Sequence, residues 1–308
     1  MLVGVWVGTR TTSAAPGEPL ASFGDDGVVR IPAPVTTVVP VVDQLLLQDD
    51  DKTLGLVNQH AFTGEEFIVR WTADGQVDPS WNGGVPLPVQ SSFNAPGRMA
   101  LAADGSVFYA IGSRIMKFTA TGAPDDSFGS EGIAMMHLPN TSFDVIDLVA
   151  LDGGGVAVGG LAGTTSWTRA FVARLLPSGA PDPLFGEGGA TIFGLQSGFR
   201  PTFHRVVGAP DGSVWVHLSN MNTHALIALT PAGSLRGEFG NAGELTLTST
   251  RPCLLVDTSG GPLSIEELAV AVPSAHLEVR RLMATTGALD PAYGTSGVAS
   301  IALPVGAD

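Results

Sequence analysis

Apolar residues in this chain come in short unbroken runs and not in strict alternation with polar ones. "VFYAI" (107–111), "VAVGG" (156–160) and "VWVHL" (214–218) are examples. Runs of this length, bounded by Gly, Pro, Asn and Asp, predict β-strands. Continuous apolarity means that both faces of each sheet are covered, since a half-wet sheet would alternate. No helical periodicity of useful length appears. Asp-Gly recurs between such runs at Asp104-Gly105, Asp152-Gly153 and Asp211-Gly212, a strong hairpin signal. Taken as a two-residue turn, Asp211-Gly212 pairs Pro210 with Ser213 and Val206 with His217.

A longer pattern organises these runs. "GEPLASFGDDG" (17–27), "GQVDPSWNGG" (75–84), "GAPDDSFGSEG" (122–132), "GAPDPLFGEGG" (179–189), "GSLRGEFGNAG" (233–243) and "GALDPAYGTSG" (287–297) share one internal spacing. In each, a Gly precedes an aromatic by six residues: Phe23, Trp81, Phe128, Phe185, Phe239 and Tyr293. The aromatics lie 58, 47, 57, 54 and 54 residues apart. One period holds a strand "IAMMH", a strand "FDVIDLVAL", a turn "DGG", and strands "GVAVGGL" and "AFVARLL". The motif then leads into the next unit.

Four short antiparallel strands repeated at this period predict an all-β fold, a β-propeller of four-stranded blades forming one domain over residues 1–308. Six blades are favoured, one of them reduced and closed by both termini through "LVGVWVG" and "VASIALP"; five is the alternative. The stretches "RWTADGQVDPSWNGG", "KFTATGAPDDSFGSEG" and "RLLPSGAPDPLFGEGG" resemble the delta-60 repeat of bacterial β-propeller proteins. The resemblance spans residues 17–297. It implies the propeller architecture and an extracellular or cell-surface location in a bacterium, and little about activity. Leu20 and Arg236 replace the motif Asp and Ala228 replaces the Arg, so an Arg–Asp contact is not common to every blade.

Composition narrows the partners. The formal charge is −14 and the pI about 4.6, which repels phosphate backbones and argues against nucleic acid. No run is long enough to span a membrane as a helix. The N-terminus lacks a basic region and is a poor signal peptide as it stands. Cys253 is the single cysteine, so there is no disulfide framework, and it reads as a small apolar strand residue. A monomer is expected.

Residues common to the copies read as structural: the aromatics as plugs between blades, and Arg70–Asp78, Lys117–Asp125 and Arg174–Asp182 as pairs that fix the motif turn. Polar residues peculiar to one blade are the functional candidates. His204 and His217 come close if the hairpin register above holds. They read either as imidazoles satisfied between packed blades or as a catalytic or metal-ligating pair. His224 lies in the next loop or strand, so no third metal ligand is evident; it stands with Trp167 and Arg169 as a candidate ligand-binding residue. Trp167 and Arg169 sit in a loop before a fourth strand, where an aromatic can stack on a sugar. Asp49, Asp50 and Asp51 occupy a hairpin turn, as a solvated turn or a weak cation site. Glu65-Glu66 and Glu266-Glu267 are strand neighbours that face opposite ways, so neither is a two-carboxylate site.

These features favour a non-enzymatic, exported propeller that binds a glycan or a surface protein on one rim. The alternatives are a hydrolase or lyase at the channel mouth, with or without a metal, and a structural segment of a longer surface protein. No cofactor is expected; a divalent cation in the channel is the one exception left open.

Overall fold

The computed structural model describes residues 40–59, 65–90, 97–139, 141–164, 167–194, 201–220, 223–247, 253–256, 262–268 and 276–302. They form five four-stranded antiparallel sheets, each a meander in chain order. Sheet 1 is β1 (Pro40–Leu47), β2 (Thr53–Gln59), β3 (Glu65–Trp71) and β4 (Leu87–Gln90). Sheet 2 is β5 (Arg98–Leu101), β6 (Val107–Ile111), β7 (Arg114–Phe118) and β8 (Ile133–Met135). Sheet 3 is β9 (Phe143–Ala150), β10 (Val156–Thr164), β11 (Trp167–Leu175) and β12 (Ala190–Phe193). Sheet 4 is β13 (Thr202–Gly208), β14 (Val214–Ser219), β15 (His224–Leu229) and β16 (Glu244–Leu247). Sheet 5 is β17 (Cys253–Val256), β18 (Pro262–Leu268), β19 (His276–Arg281) and β20 (Val298–Ala302). The chain divides into two compact units, Met1–Ile133 and Ala134–Asp308.

The unbroken apolar runs lie in buried strands: every residue of β6 and of β14 is buried. The cores lie between successive sheets of a unit. Leu54, Leu56 and Ile68 of sheet 1 pack with Met99, Tyr109 and Met116 of sheet 2. Val206, Val214 and Val216 of sheet 4 pack with Ala157, Ala170 and Val172 of sheet 3.

The motif lies within a sheet. It connects the third strand to the fourth, as Gly75–Gly84 does between β3 and β4. It is therefore not the turn from one unit to the next, and each period begins one strand later than the sequence reading sets it. "IAM" is the last strand of sheet 2 and "FDVIDLVA" the first of sheet 3. Likewise Val298–Ala302 pairs with β19 as the fourth strand of sheet 5; the expected closure would join it to the N-terminal segment. That segment and the first motif copy, with Phe23, lie outside the described residues.

The described copies of the motif share one backbone contact, and all but that of sheet 4 share an ion pair. The N–H at the Asp position donates to the third strand: Asp78 to Arg70 O, Asp125 to Lys117 O and Asp182 to Arg174 O, all 2.9 Å. Arg70 Nε meets Asp78 Oδ2 at 2.8 Å and Lys117 Nζ meets Asp125 Oδ2 at 2.8 Å. Arg174 pairs with Asp182 and Arg281 with Asp290 in the same way. Sheet 4, which lacks the pair, has Arg236 turned to Ser213 and Asp211 instead. Trp81, Phe128, Phe185 and Phe239 are buried to within 1%.

Three of these aromatics meet the opening Gly of the following motif. A Cβ on Gly122 would lie 3.1 Å from the Trp81 ring, and one on Gly233 would lie 2.8 Å from Gly186 N and 3.2 Å from Phe185. Both glycines have positive φ, +86° and +78°, a region L-residues avoid. The backbone locks the contact: Asn82 N–H donates to Thr121 O, Gly186 N–H to Ala232 O and Gly240 N–H to Thr286 O, at 2.8 to 2.9 Å. The recurring Gly-to-aromatic spacing is thus the seam between successive sheets of a unit.

First strands carry a second seam at their middle. Sheets 1, 3 and 4 each have a bulge there, leaving Asp43, Ile146 and His204 as the extra residue. The next residue reaches sideways. Gln44 of β1 donates from Nε2 to Met99 O and accepts at Oε1 from Met99 N–H, both at 2.7 Å. Asp147 of β9 accepts from Val206 N–H of β13 at 2.9 Å.

Candidate functional site

The strand pairings align the sheets residue by residue and allow each to be compared with its siblings. In sheet 4 the bulge holds His204, its neighbour across the hairpin is His217, and His224 opens β15 opposite Ser219. In sheet 3 the same places hold Ile146, Gly159 and Ala170. The imidazoles are peculiar to sheet 4.

The register that brings them together differs from the expected one. The Asp211-Gly212 turn is longer than two residues: Ala209 N–H donates to Ser213 O and Gly212 N–H to Ala209 O, both at 2.9 Å. This sets Val206 opposite Val216 and moves Arg205 opposite His217. The bulge at His204 shifts the pairing by one more residue, to Phe203 opposite Leu218. A bulge places two residues against one partner, so His204 stays beside His217.

The three rings form one cluster. His204 and His217 stack with centroids 4.6 Å apart. His217 Nε2 lies 3.0 Å from His224 Nδ1, and His204 Nε2 lies 2.7 Å from Ser219 Oγ. One ring nitrogen from each of the three falls within 4.8 Å of the others. His217 is buried, His224 half-buried and His204 exposed. Burial, with the charges of His204 and His224 beside it, pushes the His217 pKa down to about 3. Burial and His224 also lower that of His204. His204 and His217 are therefore neutral near pH 7, with lone pairs free for a hydrogen bond or a metal. His224, expected to stand apart, is the third member.

Sheet 1 carries a different polar group at the same places. Asp43 occupies the bulge, and Asn58 faces Glu66 where Ser219 faces His224. Glu66 is fully buried. It accepts from Tyr109 Oη at 2.6 Å, from Gly97 N–H at 3.1 Å and from Asn58 Nδ2 at 3.4 Å. Burial raises the Glu66 pKa against the pull of Tyr109 and Gly97, and burial and Glu66 together raise that of Tyr109. The sequence reading set Glu66 aside because its neighbour Glu65 faces the other way. Comparison with His224 would have found it, but needs a register the sequence does not supply.

The other candidates do not converge. Asp49, Asp50 and Asp51 sit on the β1–β2 hairpin, where Asp51 takes the left-handed backbone at φ 61° that Gly105 and Gly212 take elsewhere. Asp50 pairs with Lys52 at 3.1 Å. Trp167 and Arg169 belong to β11, a third strand, and not to a loop. Arg169 is exposed opposite Ala162, and the Trp167 side chain lies outside the described residues. Among the described residues, no helix is long and apolar enough to cross a membrane.

No family model matches the chain, and neither does any curated protein. Solved structures do. It is similar to the Dos1 propeller at 11% identity and a TM-score of 0.43, over 78% of this chain and 54% of that one. It is similar to the β-propeller domain of Nup133 from Vanderwaltozyma polyspora at 7% identity and a TM-score of 0.39, over 73% and 68%. It is also similar to the aldose sugar dehydrogenase of Streptomyces coelicolor, solved with PQQ bound, at 12% identity and a TM-score of 0.39, over 68% and 69%. The chain thus spans about half the length of the Dos1 structure. Likenesses this low carry no functional information.

Proposed function

We propose that this chain is an exported bacterial β-propeller of six blades that binds a glycan or a protein through one end of its sheets. That end is the one opposite the repeat motifs. The observation that carries the reading is the contrast between the two ends. At the motif end the described copies repeat the same backbone contact and, outside sheet 4, the same ion pair. At the other end they differ: Asp43, Asn58 and Glu66 in sheet 1, Ile146, Leu161 and Ala170 in sheet 3, and His204, Ser219 and His224 in sheet 4. A repeated framework with one variable end is how a scaffold carries a site.

The test is binding of the purified chain to glycan and surface-protein arrays. A saturable signal that weakens in Arg169→Ala, at the variable end, supports the reading. No signal on either array counts against it.

A second reading is a hydrolase or lyase at the same end. One observation favours it, the convergence of His204, His217 and His224, since three imidazoles with a free coordination position are a common catalytic metal set. It predicts turnover of ester, phosphate or glycan substrates that His204→Ala abolishes in a folded protein.

A further inference from the structure

We propose that His204, His217 and His224 bind one divalent transition-metal ion, zinc by preference, with a further position open to water or to an oxygen donor of a ligand. The site stands on its own geometry and goes beyond the binding role above.

Three facts support it. First, the separations suit the ion. Two ligands at about 2.0–2.1 Å from a tetrahedral zinc lie roughly 3.3 Å apart. His217 Nε2 and His224 Nδ1 are already 3.0 Å apart, and the whole set lies within 4.8 Å, so side-chain rotations suffice to close it. Second, the contact between His217 and His224 is one a metal can replace. Two imidazole nitrogens at this distance share a single proton, one donating and the other accepting. An ion that takes both of these nitrogens needs the donating ring to carry its proton on its other nitrogen instead, so that both rings stay neutral and each offers one lone pair. Third, the strands hold the donors before the ion arrives. His217 is anchored inside β14 with 4% exposure, His224 is fixed by its pairing with Ser219, and Ser219 Oγ holds His204 at 2.7 Å. With the ion on its other nitrogen, His204 donates Nε2–H to Ser219 Oγ, and such a bond from the second N–H of a ligating imidazole is the usual device that orients it.

The donor set selects the metal class. Imidazole suits zinc, copper, nickel and cobalt, whereas calcium and magnesium require oxygen ligands. None of the three donors here is a carboxylate. The exposure of His204 puts the remaining coordination position toward solvent.

The experiment uses tag-free protein, stripped with a chelator, equilibrated with zinc alone and desalted before elemental analysis. One zinc per chain is expected. Cobalt in its place should give the visible absorption of a tetrahedral site. The His204→Ala/His224→Ala double variant alters only the two more accessible rings and so should fold. It is expected to retain no zinc and to lose the rise in melting temperature that zinc gives the wild type. Loss of either ligand alone should weaken binding by more than the roughly 10–100-fold that a lost supporting contact costs. Failure of the wild type to retain zinc overturns the proposal. So does stoichiometric zinc on the double variant, or ready displacement of zinc by magnesium.

Discussion

Gln44 and Met99 join two neighbouring first strands by a pair of hydrogen bonds, side-chain amide to backbone N–H and C=O, both at 2.7 Å. Asp147 and Val206 make the corresponding contact in the second unit with one bond. The residue just after the bulge thus ties a sheet to the next one.

Gln44→Ala should therefore destabilise the first unit by about 1–3 kcal/mol, the cost of leaving buried backbone groups unpaired. Asp147→Ala should do the same in the second unit, while Asp147→Asn, which keeps an acceptor, should recover most of the loss. Denaturant unfolding measures all three. Equal loss in the Ala and Asn variants at Asp147 would show that the acceptor is not what matters.

The motif seam makes its own prediction. Gly233 and Gly188 both have positive φ, but a Cβ on Gly233 meets the backbone of Gly186 at 2.8 Å and one on Gly188 meets nothing within 4 Å. Gly188→Ala should cost about 1 kcal/mol, the backbone strain alone. Gly233→Ala should cost clearly more, because the backbone beside Phe185 has to move. Equal melting temperatures for the two variants would contradict the seam.

Two buried carboxyls respond to pH in opposite directions. Burial opposes ionisation of Asp78, but its bonds from Ser80 and the charges of Arg70 and Lys52 prevail and hold its pKa at about 2. Its stabilisation is present above the unfolded value near 3.8 and is lost as pH falls through 2. The amount is on the order of 2 kcal/mol. Glu66 is raised instead. Between its unfolded value and the raised one, the folded protein keeps a proton that the unfolded chain has lost, so stability falls as pH rises. Asp78→Asn should flatten the acid limb of the stability profile. Glu66→Gln should remove the decline above pH 4.5. Stability curves for both variants that run parallel to wild type would refute these assignments.

Much of the fold is legible in the chain. Unbroken apolar runs gave buried strands, and Asp-Gly and the six-copy motif gave the turns between them. The starting point of the period was not legible, because a repeat fixes a length and not an origin: Ile133–Met135 opens or closes a sheet with equal consistency until pairing is known. The hairpin register was off by one, because Asp211-Gly212 belongs to a longer turn. The bulge at His204 shifts the pairing one residue further and in doing so sets His204 beside His217, so the pair is found by a register that does not exist. The place of His224 in the imidazole cluster and the role of Glu66 were missed for one reason. Both sit at the start of a third strand, and only cross-strand pairing puts that position beside the bulge.

The central claim is that the motif end is framework and the opposite end is the working face. The most direct measurement is array binding by two matched variants, His224→Ala at the working end and Asp126→Ala on an exposed motif turn. His224→Ala should lose the bound glycan or protein while Asp126→Ala keeps it. Loss in Asp126→Ala with binding intact in His224→Ala would contradict it.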